Sequence, residues 1–198
     1  MMGYPVRALV VLLVAMAALG EPLLVVRPAL AYSYAAAGAE PLLDGREALF
    51  AAASAGKWDD AKAALAGMQA DLDYLDQNED KGVMQAFTDA LAQQDPKAVM
   101  AAFTRAASDE IVRRLNGARD NLKDYQTAKV LVVKAQRFYA AVAADLPPEA
   151  AKTISDALAK ALDAVGNPGV FGVGARPADP DAFAAARDEI LKALGKTP

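Results

Sequence analysis

The chain of 198 residues contains no cysteine and no histidine. Without cysteine, it cannot form disulfide bonds, thiol redox centres, covalent c-type haem or metal sites with thiolate ligands. Without histidine, Ser-His-Asp and Cys-His nucleophile systems and imidazole ligands for haem, zinc or copper are excluded as well. Carboxylates, lysine, tyrosine, serine and threonine are left for catalysis. We therefore expect a protein that is not an enzyme.

Residues 1–31 have the composition of a secretory signal peptide. A basic residue precedes a continuous apolar run over residues 8–19, and the segment ends in a small-x-small cleavage pattern at residues 29–31. The pattern predicts cleavage after Ala31 and a periplasmic or secreted protein without a stable membrane span. The alternative is an uncut anchor, which needs about 20 consecutive apolar residues. A Gly-Glu-Pro sequence at residues 20–22 interrupts the run.

Charge restricts the partners of the chain. Loss of residues 1–31 removes two arginines and one glutamate, so the formal net charge changes from −4 to −5. A mildly acidic chain lacks the basic patch of nucleic-acid-binding domains and is not attracted to anionic membrane surfaces. The expected partner is a protein or a small ligand in the periplasm, and nucleic acid is not expected.

The pattern of residues after the signal peptide predicts an all-α protein. Residues 32–43 are rich in alanine and glycine and are predicted to be a loose leader. In residues 44–198, alanine is abundant and no segment alternates apolar and polar residues, which favours one helical domain. Predicted helices begin at N-cap residues such as Asp95 and Asp179, each followed by proline. Short turns favour an antiparallel helical bundle with four long helices and shorter additions.

Three predictions concern single helices. Asp44 and Glu47 have the spacing of a capping box, so a helix is expected to begin at Asp44. Apolar residues three or four apart over residues 58–75 predict one continuous helix. The apolar run at residues 130–133 predicts that the helix over residues 120–145 is surrounded by the others.

Charged residues at helical spacing are expected at the surface. Arg113 and Arg114 follow Asp109 and Glu110 by three to five positions, which predicts an exposed face of ion pairs. Lys134 is expected to lie over neighbouring aromatic side chains with its ammonium group in water.

An acidic turn over residues 71–82 contains the candidate metal ligands Asp76, Asn78 and Asp80. The turn follows a predicted helix, where carboxylates face the negative end of the helix dipole and cost up to about 1 kcal/mol each. A bound cation would offset this cost, and a solvated acidic turn is the alternative interpretation. Oxygen ligands suit hard cations such as Ca²⁺, Mn²⁺ or ferric iron. No other cofactor is expected.

The pattern D-x-N-x-D-x-G at residues 76–82 resembles the first half of the calcium-binding EF-hand loop. The resemblance implies carboxylate and amide oxygens as cation ligands. The chain departs from the EF-hand pattern at two positions. Gly82 stands one place late, and Phe87 occupies the position of the bidentate glutamate.

A glycine-rich loop over residues 167–177 contains the candidate partner-binding residues Val170, Phe171 and Val173. The loop follows a predicted helix, whereas glycine-rich loops that hold phosphates follow a strand. Its apolar side chains allow two interpretations. They plug one end of the bundle, with the glycines permitting close backbone approach, or they form an exposed surface that docks a partner or ligand.

The favoured hypothesis is an exported, non-enzymatic helical-bundle protein that binds a protein partner or ligand. The alternative is a hard-cation-binding or ion-handling accessory protein that uses the acidic turn. An enzyme or cofactor carrier that uses the bundle interior ranks third, because no paired carboxylates fall on facing core positions.

Overall fold

The computed structural model describes residue 38 and residues 40–197, and helices form most of this part of the chain. The predicted all-α class is confirmed. Residues from Gly38 onward form one compact unit, and the predicted signal peptide lies outside the described residues. The α-helices are α1 (Pro41–Asp44), α2 (Arg46–Ser54), α3 (Trp58–Ala66), α4 (Gln69–Asn78), α5 (Val83–Gln93), α6 (Pro96–Asp120), α7 (Tyr125–Val142, followed by a 3₁₀ turn at Ala143–Asp145), α8 (Pro148–Ala164) and α9 (Pro180–Ala193).

Helix α6 is the longest described helix and contacts α2, α4, α5, α7 and α9. Asp95 caps its N-terminus as predicted, because the carboxylate accepts the backbone amide of Lys97 at 2.9 Å. Its buried apolar side chains recur three or four residues apart, as a helix inside a core requires. Phe103 belongs to this stripe and packs edge to face against Phe50, with ring centroids 5.3 Å apart.

The predicted capping box at Asp44 is wrong. Asp44 ends the short helix α1, and its carboxylate accepts the backbone amide of Glu40 at 3.1 Å. Pro41 explains the difference, because it begins a helical turn before the predicted start. Glu40 and Leu42, which fall in the predicted leader, are buried in the compact unit.

The predicted continuous helix over residues 58–75 is interrupted at Gly67 and Met68. Met68 is fully buried. It lies against Gly45, where an added Cβ would come within 2.5 Å of the Met68 side chain. Met68 therefore packs in the core against a position where only glycine leaves room.

The prediction that α7 is surrounded by other helices is also wrong. Val133 is 39% exposed, whereas Lys134 beside it is buried. One stripe faces the interior, with residues three or four apart, and the rest of the helix meets solvent. The apolar members of that stripe are Ala128, Val132, Ala135, Phe138 and Val142.

Helices α8 and α9 pack against each other and hold the glycine-rich loop between them. Gly166 follows the end of α8 with a φ of +85°, as expected for a glycine after a helix. Asp179 caps α9 by accepting the backbone amide of Ala182 at 2.9 Å. No helix among the described residues is long and apolar enough to cross a membrane.

Candidate functional site

The loop between α8 and α9 forms a short β-hairpin. Val170 and Val173 exchange both backbone hydrogen bonds, with N···O distances of 3.1 and 3.0 Å. Asn167 and Arg176 exchange a second pair at 2.8 and 2.7 Å. The chain thus reverses through a two-residue turn formed by residues 171–172.

The turn holds a phenylalanine in a backbone conformation that glycine or asparagine usually adopts. Phe171 has a φ of +52° and Gly172 a φ of +85°. Positive φ at both central residues is the requirement of a type I′ turn, whose twist matches that of a hairpin. A left-handed conformation costs an L-residue about 1–2 kcal/mol. Phe171 is therefore strained where it stands.

Val170, Phe171 and Val173 together form an exposed apolar surface, here called the hairpin tip. Val170 is 74% and Val173 79% exposed, and Phe171 is fully exposed. The interpretation that these side chains plug one end of the bundle is therefore wrong. They form an exposed apolar surface. Six large apolar side chains are exposed in the described part of the chain, and three of them belong to the hairpin tip.

An ion pair fixes the base of the hairpin to α8. Arg176 binds the Asp163 carboxylate with both terminal nitrogens, at 2.8 and 2.6 Å, and also the Asp163 carbonyl oxygen at 3.0 Å. These hydrogen bonds hold the pKa of Asp163 below its usual value. Gly169 contributes close packing, because an added Cβ would lie 2.5 Å from the Val173 carbonyl oxygen. The Asp163–Arg176 ion pair and the close packing at Gly169 therefore fix the position of the hairpin tip.

An open groove runs beside the hairpin between α8 and α9. Small side chains such as Ala159, Ala182 and Ala185 line it. The charged residues at its rim pair with each other, with Lys160 Nζ 2.8 Å from Glu189 Oε2. The groove is therefore an open surface lined by small side chains, and the charged groups Lys160 and Glu189 are already paired with each other.

The acidic turn places two of its predicted metal ligands against backbone groups. Asp76 Oδ1 accepts the backbone amides of Gly82 and Met84 at 2.8 and 3.2 Å, so this carboxylate caps the start of α5. The Asn78 side-chain amide donates to the Tyr74 carbonyl oxygen at 2.8 Å. Both side chains already serve the ends of their helices.

The third predicted ligand, Asp80, binds two cationic side chains. Arg105 donates to both of its oxygens at 2.7 and 2.8 Å, and Lys196 Nζ lies 3.0 Å away. The hydrogen bonds from Arg105 hold the pKa of Asp80 well below its usual range. Lys196 also binds the buried Asp109 at 2.5 Å. The cost of acids at the helix end is thus offset by cations of the chain itself.

Each of the three predicted ligands binds a different group of the chain. Among residues 40–197, no group of three or more acidic side chains is placed to hold a metal ion. Cation binding at Asp76, Asn78 and Asp80 stays a prediction, and it has to compete with the intramolecular contacts just described.

A buried ionic cluster replaces the exposed ion-pair face that the sequence predicts around Arg114. Arg114 binds Glu40 at 2.7 Å and Glu110 at 3.1 Å, and Lys134 Nζ lies 2.7 Å from Glu40. All four side chains are buried. Arg113 completes the cluster with two contacts of 2.7 and 2.8 Å to Glu110. Burial raises the pKa of Glu110.

One part of this cluster has a signal in the sequence. Arg114 follows the buried residues Ala107 and Ile111 by seven and three positions, which places it on the apolar stripe of α6. Glu40 precedes Arg114 by 74 positions. No local spacing connects residues so far apart.

Comparisons with known proteins add no functional assignment. No protein-family model, curated protein or solved structure matches the chain. The hairpin tip and the ionic clusters are therefore interpreted from their own geometry.

Proposed function

We propose that the chain is an exported, non-enzymatic binding protein that contacts its partner or ligand through the hairpin tip. The exposure of Phe171 in a strained backbone conformation carries this proposal. Strained residues persist where the surrounding structure holds them, and they cluster at functional sites. An exposed apolar side chain at such a position contributes nothing to the core. A contact outside the chain would account for an apolar side chain at this exposed position.

The rest of the proposal is supported by composition and sequence pattern. The absence of histidine and cysteine from the chain favours recognition over catalysis. The signal-peptide pattern at residues 1–31 favours export to the periplasm or beyond. Residues 44–198 are proposed to form an antiparallel bundle of helices, with α8 and α9 presenting the hairpin at one end.

Photo-cross-linking in intact cells tests the proposed contact. A benzophenone amino acid is placed at position 171 in one variant and at position 133 in a control variant. Val133 is also an exposed apolar residue, but it lies on α7 outside the hairpin. We expect a discrete adduct from position 171 alone, identified by mass spectrometry and reproduced with the purified adduct partner. Equal adducts from both positions, or none from either, would contradict the proposal.

Cell fractionation tests the proposed export. We expect a product that begins at Tyr32 in the periplasmic or secreted fraction, as read by mass spectrometry of the N-terminus. A full-length product in the cytosol would contradict it.

A further inference from the structure

The hairpin tip lies within a run of twelve residues, 164–175, that contains no charged side chain. The flanking charges, Asp163 and Arg176, neutralise each other through a bidentate ion pair. The hairpin therefore presents apolar surface without charge. A matching occupant is itself apolar, because a charged group facing the tip would lose water without gaining a partner.

The size of the hairpin tip argues against a protein interface of ordinary dimensions. One phenylalanine and two valines expose on the order of 500 Å². A stable protein–protein interface buries roughly 800 Å² on each partner. The tip alone falls short of that area, whereas insertion into lipid has no such minimum.

The paired part of the hairpin backbone is suited to an apolar environment. The amides of Phe171 and Gly172 in the turn donate no hydrogen bond to the described part of the chain, so they have to stay at the hydrated boundary. Polar backbone groups that enter hydrocarbon need internal hydrogen-bond partners. Val170 and Val173 satisfy each other's amide and carbonyl groups. Closer to the base, Gly169 donates its amide to the Asn167 side chain at 2.9 Å, and Pro168 has no amide proton to satisfy.

We propose, on the basis of the proposed binding function, that the hairpin tip binds a bilayer of zwitterionic lipid. It inserts at the boundary between the headgroups and the hydrocarbon. Phe171 inserts with the two valines beside it, while the Asp163–Arg176 pair remains at the level of the headgroups. The acidic net charge of the chain opposes attraction to anionic lipid. Neutral lipid is therefore the favoured surface.

Flotation with phosphatidylcholine vesicles tests this inference. The protein is purified as its host produces it, and its N-terminus is read by mass spectrometry. We compare the unaltered protein with Phe171→Ser and with the control Val133→Ser. All three carry the same N-terminus, so any contribution of residues 1–31 cancels. We expect the unaltered protein to float. The partition coefficient should fall about 10- to 100-fold in Phe171→Ser and less than about 2-fold in Val133→Ser.

Three results would overturn the lipid inference. They are failure of the unaltered protein to float, equal loss in both variants, and flotation that requires phosphatidylglycerol and falls with added salt. The cross-linking experiment separates this failure from failure of the proposed function. An adduct from position 171 to a protein or a second copy of the chain, without vesicle binding, overturns lipid as the occupant and leaves the binding function standing. Absence of any adduct from position 171, to protein or to lipid, overturns both.

Discussion

Lys134 Nζ lies 2.7 Å from Glu40 Oε1, and both side chains are almost completely buried. Glu40 directly precedes α1, and Lys134 lies in the middle of α7, so the contact joins the beginning of the compact unit to a helix 94 positions later. Arg114 of α6 binds the other oxygen of the same carboxylate at 2.7 Å. One carboxylate thus connects three parts of the chain.

Replacement of Glu40 should destabilise the protein strongly. Glu40→Ala removes a shared carboxylate from Arg114 and Lys134 and leaves both cations buried. Loss of one partner from a buried ion pair costs about 3–5 kcal/mol. Urea titration should show this loss, and Glu47→Ala, a change at an exposed position of α2, should stay within about 0.5 kcal/mol. A loss below about 1 kcal/mol for Glu40→Ala would show that the ionic cluster contributes little to the fold.

Stability should be highest at mildly acidic pH. Burial raises the pKa of Asp109 and of Glu110, so the folded protein binds protons before the unfolded chain as the pH falls from 7. The free energy of unfolding therefore rises. Asp80 acts in the opposite sense, because its pKa is lowered by Arg105. Its contribution is present above the unfolded pKa of about 4 and is lost below it.

Urea titrations across a pH series measure this dependence. The free energy of unfolding should increase as the pH falls from 7 toward the ordinary carboxyl pKa of about 4, and decrease below it. Asp109→Asn removes one of the groups with a raised pKa and should make the increase smaller. An increase of unchanged size in Asp109→Asn would show that another group is responsible.

Relief of backbone strain at the hairpin tip should raise the stability of the protein and weaken its binding. Phe171→Asn creates an Asn-Gly turn, the sequence that type I′ turns favour. It should raise the free energy of unfolding by about 0.5–1 kcal/mol while weakening contact with the partner. Urea titration and vesicle flotation measure the two effects. A loss of stability in this variant would show that Phe171 makes contacts that support the fold.

Gly169 should be required for the hairpin, and Gly174 supplies a matched control. Both have positive φ, but an added Cβ meets the Val173 carbonyl oxygen at 2.5 Å only from Gly169, while nothing lies within 4 Å at Gly174. Alanine at either position costs roughly 1 kcal/mol from the backbone conformation. Only Gly169→Ala should also open the hairpin. Faster hydrogen exchange at the Val170 and Val173 amides in that variant alone would confirm this difference.

Asp76 should act as a helix cap whether or not a cation is present. Asp76→Ala leaves the amides of Gly82 and Met84 without their acceptor and should cost about 1–2 kcal/mol. The cost should be the same in EDTA and in millimolar Ca²⁺ or Mn²⁺. Stabilisation of the unaltered protein by the cation, absent from Asp76→Ala, would instead support the alternative of hard-cation binding.

The helical class of the fold was predictable because its signals are local. Apolar residues three or four apart define the buried stripes, and Asp95 and Asp179 cap the helices they precede. The break at Gly67 was not predictable from the pattern. The apolar spacing continues through it, and the contact that Met68 makes with Gly45 spans 23 positions of sequence.

The hairpin form of the glycine-rich loop was not predictable from the sequence. Its apolar residues marked the loop as a candidate site, but Phe-Gly lacks the Asn-Gly or Asp-Gly signal of a tight hairpin turn. The cationic partners of Asp80 in the acidic turn were not predictable for another reason. Asp80 meets Arg105 25 positions later and Lys196 116 positions later, and charge spacing along the chain carries no information about such pairs.

The contact of Lys196 with Asp80 and Asp109 has a consequence for the order of events during synthesis. A chain that emerges N-terminus first exposes both carboxylates long before the ammonium group that joins them has been translated. The junction between the acidic turn, α6 and the segment after α9 is therefore a late step of maturation. Until then, Asp109 is without the ammonium group that lies 2.5 Å from it in the folded protein.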